Sequence, residues 1–132
     1  MSVAPVGLLD TSVFIAAETG RPLADLPEET VTSTVVLGEL ELGVLAATTS
    51  EVRARRLGTL RSVADLELLP IDEAVASVWA RMRIHLAEAG RRVNLNDLWI
   101  AATAAAHGMP VVTQDDDFDP VEGVADLAVL RV

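Results

Sequence analysis

Val6-Gly7-Leu8-Leu9-Asp10-Thr11-Ser12-Val13-Phe14-Ile15-Ala16-Ala17 changes its hydrophobic period at a single acidic residue. Before Asp10 the run is short, continuous and apolar, as in a strand buried on both faces. After it, Asp10-Thr11-Ser12 supplies the side-chain oxygens that cap a helix, which runs through Ala17 until Gly20 and Pro22 stop it. A strand that hands over directly to a helix is the opening of a βα unit, and the rest of the chain repeats the alternation. Glu29 to Ser33 carries the β-branched Thr30, Val31 and Thr32 and reads as a second strand, with Ser33 or Thr34 capping a helix to about Ala47. Glu51 to Ala64 is a charged amphipathic helix with Val52, Leu57, Leu60 and Val63 as its buried side, and Leu66 to Leu69 is a third strand, stopped by Pro70. Asp72 caps a long helix through Ala89 with Ala76, Trp79, Met82, Leu86 and Ala89 at helical spacing, and Gly90 closes it. Asn94 to Asp97 opens an Ala-rich helix that ends at His107-Gly108, followed by a strand Val111 to Thr113, an Asp-rich loop and a last strand Leu127 to Val132. The expected fold class is α/β, a parallel β-sheet flanked by helices on both faces.

At 132 residues the chain is expected to form a single domain, residues 1–132. Its residues are 51% apolar but include only two Phe, two Trp and no Tyr, so Ala, Val, Leu and Ile must build the core. The absence of Cys excludes thiol catalysis, thiolate metal ligands and a disulfide framework, and fits a cytoplasmic location. Met1-Ser2-Val3-Ala4-Pro5-Val6 lacks the basic start and apolar stretch of a signal peptide. The longest stretch without charge, Leu98 to Gln114, is broken by His107, Gly108 and Pro110, so no membrane span is expected. A net charge of -10 argues against simple coating of nucleic acid. All ten basic residues are Arg, and eight of them fall in groups, at Arg53, Arg55, Arg56 and Arg61, at Arg81 and Arg83, and at Arg91-Arg92. These groups read either as solvated helix faces or as a rim that contacts phosphate.

Four acids stand where a domain has little structural use for them: Asp10 after the first strand, Glu39 inside Val35-Val36-Leu37-Gly38-Glu39-Leu40, Asp97 before Leu98-Trp99-Ile100, and Asp115 after Val111-Val112-Thr113-Gln114. Asp10 and Asp97 also suit helix caps, and Asp115, beside Asp116, Asp117 and Asp119, also suits a solvated loop. Glu39 caps nothing and projects from an apolar stripe. In a parallel sheet the site lies beyond the carboxyl ends of the strands, where Asp10 and Asp115 fall. Two carboxylates about 4 Å apart repel by roughly 4 kcal/mol at an effective dielectric near 20, and with no Lys in the chain and few Arg beside these positions a divalent cation is the expected partner. Hard oxygen donors without Cys or a matching His favour Mg²⁺ or Mn²⁺ over Zn²⁺.

Competing motifs fit less well. Asp115, Asp117 and Asp119 imitate the start of a calcium-binding EF-hand loop, but Pro120 stands where that loop needs Gly and Asp126 where it needs Glu. Phosphate-accepting signalling domains and aspartate-nucleophile phosphatases hold the phosphoryl group with a Lys, which this chain lacks.

Leu8-Leu9-Asp10-Thr11-Ser12-Val13-Phe14-Ile15, Val36-Leu37-Gly38-Glu39-Leu40-Glu41-Leu42-Gly43, Asn96-Asp97-Leu98-Trp99-Ile100-Ala101-Ala102-Thr103-Ala104 and Val112-Thr113-Gln114-Asp115-Asp116-Asp117-Phe118, in that order and over nearly the whole chain, resemble the PIN domain. Size and motifs are most similar to the VapC-type toxins of bacterial toxin-antitoxin modules. The resemblance implies a Mg²⁺- or Mn²⁺-dependent endoribonuclease in which Asp10, Glu39, Asp97 and Asp115 form the catalytic, metal-binding acidic site. It also implies supporting hydroxyls at Thr11, Ser12 and Thr113, and Asp117 as the rival to Asp115; Arg91 and Arg92, just before the Asp97 turn, are the expected RNA-binding rim. The implied partners are RNA and a VapB-type antitoxin, in a homodimer or a hetero-oligomer with the antitoxin. A PIN-like module that binds a partner without cutting anything is the alternative.

Overall fold

The computed structural model describes residues 5–132, and the part of the signal-peptide reading that rests on Met1 to Ala4 lies outside them. Five parallel strands form one sheet in the order β3-β2-β1-β4-β5. They are β1 (Val6–Leu9), β2 (Glu29–Ser33), β3 (Leu68–Leu69), β4 (Val111–Thr113) and β5 (Val129–Arg131). The helices are α1 (Thr11–Thr19), α2 (Thr34–Leu45), α3 (Ser50–Ser62), α4 (Glu73–Ala89) and α5 (Leu95–Ala106). Strand order runs outward from β1 to β3 and then jumps back to β4. With right-handed crossovers this reversal puts α1, α2 and α3 on one face and α4 and α5 on the other. The reversal point is the junction of β1 and β4, where an open α/β sheet parts its loops and leaves a crevice.

The central strands are packed as a continuous apolar run requires. Leu8, Val111 and Val112 have no exposed surface. Gly7 is required in β1, since a Cβ there would lie 2.7 Å from Val112 Cγ2 and 2.8 Å from Pro27 Cγ. Thr32 Oγ1, buried in β2, donates to Leu9 O at 2.7 Å. The Ala-rich helix α5 buries Leu98, Ile100, Ala101, Ala102, Thr103 and Ala104, which lets it lie close to the sheet.

Several expectations are corrected. The outer strands are shorter than Leu66–Leu69 and Leu127–Val132. A 3₁₀ turn at Val63–Asp65 delays β3, and a turn at Val124–Asp126, with Ala125 and Asp126 at positive φ, delays β5. The buried stripe of α4 is Val75, Val78, Met82 and Leu86, not one that includes Ala76 and Ala89, which are exposed. Val offers more apolar area than Ala, and that sets the rotation of the helix. Trp79 is half-buried and stacks on Trp99 of α5 with centroids 4.5 Å apart. Helix α3 buries none of its residues: Val52, Leu57 and Leu60 are half-covered, and only Val63, just past its end, enters the core. No helix among the described residues is long and apolar enough to cross a membrane.

Candidate active site

Asp10 leaves the carboxyl end of β1 in extended conformation and caps α1, with its side chain accepting from Ser12 N at 3.4 Å. The residue is 3% exposed, and its carboxylate is held by more than a cap. Ser12 Oγ donates to Asp10 Oδ2 at 2.8 Å and Thr113 Oγ1, at the end of β4, donates to the same oxygen at 3.1 Å. The same two hydroxyls accept from the next turn of backbone: Gln114 N donates to Ser12 Oγ at 3.0 Å and Asp115 N to Thr113 Oγ1 at 3.0 Å. Each hydroxyl therefore gives its proton to Asp10 and uses a lone pair to set the chain that carries Asp115. Among the described residues, all of the hydrogen bonds to the Asp10 carboxylate meet Oδ2, and Oδ1 carries none of them. Burial pushes the Asp10 carboxyl above the usual range, opposed by the bonds from Ser12 and Thr113.

Glu39 lies mid-way along α2, and Thr11 Oγ1 donates to its Oε1 at 2.7 Å, which ties α2 to the start of α1. Asp97 sits in the first turn of α5 but is not its cap. Asn94 is, accepting from Asn96 N at 2.9 Å and Asp97 N at 3.4 Å, so the cap reading of Asp97 is corrected. Burial, followed by the charges of Asp10, Asp117, Glu39 and Asp115, pushes the Asp97 carboxyl up to about 7. Asp115 is raised by burial and by Asp117, and lowered by Arg21.

Asp10, Glu39, Asp97 and Asp115 line one cleft of about 320 Å³, together with Thr11, Ser12, Ile15 and Arg21. Asp117 does not line it. It faces an adjoining groove of about 510 Å³ with Arg91, Arg92, Asn94 and Asp119, and Asp97 is the wall that the two share. Arg21 is the basic residue that stands among the acids, in a chain whose sequence places few Arg beside them. No spacing marks it, because the nine residues of α1 separate it from Asp10. It returns because Gly20 reverses the chain at φ 74, Arg21 N donates to Ala16 O at 2.8 Å, and Gln114 Nε2 holds Pro22 O at 3.3 Å. Three of the four arginines of α3 are structural. Arg53 and Arg56 donate to the carbonyls of Ala47 and Gly43, and Arg55 lies 3.7 Å from Glu18. Arg131 on β5 faces Asp116, Asp119 and Glu122, which anchors the Asp-rich loop. His107 Nδ1 lies 2.9 Å from Thr103 O at the end of α5, and neither it nor the exposed His85 lines the cleft.

The donor set suits a hard cation. Among the described residues no three Asp, Glu or His side chains are drawn together into a ready-made cage. Mg²⁺ does not require one, since it keeps several waters and takes one or two carboxylates directly. The oxygens left over at Asp10 and Glu39, with Asp97 and Asp115 beside them, are donors of the right kind, and their mutual repulsion is what a cation would relieve.

Comparison with known proteins agrees with this fold. The chain matches the PIN domain over residues 7–124. It is 57% identical to Ribonuclease VapC5 of Mycobacterium tuberculosis over the full length of both, and 50% identical to Ribonuclease VapC4 of the same organism, with 84% of this chain and 87% of that protein covered. The crystal structure of VapBC-5, a member of the VapBC family of toxin-antitoxin systems from Mycobacterium tuberculosis, superposes with a TM-score of 0.87 at 53% identity, covering 97% of this chain and 99% of that one. A parallel sheet reversed at β1 and β4, four acids on the crevice there, and full-length identity of this order together place the chain in the PIN domain family, among its VapC-type members.

Proposed function

We propose that this chain is a metal-dependent endoribonuclease that cuts RNA phosphodiester bonds and acts as the toxin of a toxin-antitoxin pair. The observation that carries the reading is the single cleft lined by Asp10, Glu39, Asp97 and Asp115, in a chain 57% identical along its length to a ribonuclease. Asp10, Asp97, Glu39 and Asp115 are the proposed ligands of Mg²⁺ or Mn²⁺, which when bound would lower the pKa of a water and neutralise charge on the phosphate. The remaining work belongs to the protein. Ser12 and Thr113 fix the buried Asp10 carboxylate, and Thr11 fixes Glu39. Asp97 must give up a proton held up to about pH 7 before it can serve as a ligand. Arg91 and Arg92, exposed on the groove beside Asp97, attract the RNA backbone that a chain of net charge -10 would otherwise repel.

The proposed partner is a VapB-type antitoxin, in a hetero-oligomer that covers the cleft. Its docking face is the exposed side of α1 and α2, where Leu42 is 65% and Leu45 79% exposed. Leu40 on the same helix is buried at 6%, and Val44 of α2 and Leu57 and Leu60 of α3 are half-covered. A pocket lined by Leu40, Gly43 and Arg56 adjoins the acidic cleft, with Thr11, Ile15 and Glu39 in both, so a helix seated there would reach the acids. Expression of the chain alone and together with the neighbouring reading frame, followed by mapping of cellular RNA 5′ ends, tests the proposal. New internal 5′ ends that appear on induction and vanish on co-expression are expected. An unchanged RNA population on induction would refute it.

A further inference from the structure

Arginine supplies all ten basic residues of the chain, and the structure divides eight of them by use. Arg53, Arg56, Arg55 and Arg131 are engaged with carbonyls or carboxylates, and Arg83 lies over the Trp79 ring at 5.3 Å. Arg21, Arg91 and Arg92 are exposed, enter none of the ion pairs formed among the described residues, and line cavities that meet at Asp97. Arg91 and Arg92 lie on the groove side of Asp97, and Arg21 lies on the acidic cleft itself.

The backbone of Arg21 is held in place, while among the described residues its guanidinium has no hydrogen-bond or ion-pair partner. Its N–H is bonded to Ala16 O at 2.8 Å and the following Pro22 O is bonded to Gln114 Nε2 at 3.3 Å, next to the Thr113 that supports Asp10. A guanidinium placed only to neutralise the acids would settle onto one of them as a forked pair. Arg21 borders four carboxylates and forms no ion pair within 4.0 Å of any of them, so its donors remain available to an incoming anion. The planar fork matches the non-bridging oxygens of a phosphate.

Resting on the reading of the chain as an RNA-cutting enzyme, we propose that Arg21 is a positioning residue that grips a backbone phosphate of the RNA across Asp97 from Arg91 and Arg92. The strand is then held on both sides of the bond that breaks, which suits cutting within a chain over trimming its end. An interaction made equally with bound substrate and transition state lowers KM and leaves kcat alone.

The test uses the purified full chain as wild type, Arg21→Ala and Arg21→Lys, with a short single-stranded RNA pool of randomised sequence as the probe. Cleavage is measured in Mg²⁺, and binding in EDTA across a salt series. For Arg21→Ala the expected result is a KM raised about tenfold, kcat within about twofold of wild type, and a log Kobs against log[salt] slope shallower by about 0.7, the value for one phosphate contact on a single strand. Arg21→Lys should restore the slope and only part of the KM, since it keeps the charge and loses the fork. Thermal melts should be unchanged, because the side chain is exposed. An Arg21→Ala protein with wild-type KM and slope, or one that loses kcat alone, overturns this inference while the reading of the enzyme stands. Wild-type protein that cuts no RNA in Mg²⁺ overturns that reading and this inference with it.

Discussion

Asp97→Asn removes one charge from the acidic cleft and keeps the shape of the side chain, so the metal-free protein should become more stable even as its activity is lost. In the folded chain the Asp97 carboxyl is pushed up from 3.8 to about 7, by burial first and by the other acids second. A shift of roughly three units corresponds to about 4 kcal/mol as an upper bound, and because Asp97 is only half-covered, solvent screening reduces this to about 2 kcal/mol. The lost charge also gave up to about 0.5 kcal/mol in the first turn of α5, leaving a net gain of about 1.5 kcal/mol. The cap is untouched, since Asn94 provides it. The sign follows from proton linkage: between the unfolded pKa and about 7 the folded state binds the extra proton, so wild-type stability from this group falls as pH rises through that window. The gain from Asn should therefore be near zero at about pH 4 and complete above about pH 8. At about 4 °C per kcal/mol, Tm in EDTA should rise by about 6 °C at alkaline pH. A variant that melts at or below the wild-type temperature above about pH 8 in EDTA would refute the repulsion on which the site assignment rests.

Other perturbations probe the surrounding shell. Thr113→Val deletes the donor to Asp10 and the acceptor for Asp115 N, and should cost about 2 to 3 kcal/mol in thermal melts. A cost below about 0.5 kcal/mol would show that the hydroxyl does not hold the site. Because Asp97 carries its proton up to about 7, calorimetric Mn²⁺ affinity should weaken several-fold for each pH unit below neutrality, and a flat profile would contradict its role as a ligand. Neutralising Arg91 and Arg92 together should lower the salt slope of RNA binding by about 1.4, while Arg53 and Arg55, engaged with Ala47 O and Glu18, should change it little. Equal effects from both pairs, or none from either, would show the rim to be misplaced. Leu42→Glu with Leu45→Glu should abolish co-elution with the antitoxin on gel filtration, and an intact complex would move the docking face elsewhere.

The central parts of this fold are legible because each has a local cause. β1, β2 and β4 end where Asp10, Ser33 and Thr113 end apolar or β-branched runs, and Gly20 and Gly90 stop helices in the left-handed conformation that suits glycine. The outer strands are less legible, since β3 and β5 are trimmed by 3₁₀ turns whose cost and benefit depend on packing. The rotation of α4 is not legible because Ala and Val both satisfy a helical period, and only the depth of the core chooses Val75 and Val78. The four acids are readable as residues out of place, and the chain brings all of them to one cleft. Arg21 is not readable, because its position depends on a chain reversal and on a Gln114 contact 92 residues distant. The structural use of Arg53, Arg55 and Arg56 is hidden for the same reason: their partners are carbonyls and a carboxylate on other elements.

Cleavage of RNA by purified wild type and Asp97→Asn, each with Mn²⁺ and with EDTA, tests the central claim most directly. Wild type should cut with Mn²⁺ and stop in EDTA, and Asp97→Asn should stay folded and lose at least about a hundredfold in rate, as expected when a neutral amide replaces a carboxylate that holds the cation. Mn²⁺-dependent cleavage retained at the wild-type rate in Asp97→Asn would contradict the assignment of this cleft as a metal-dependent nuclease site.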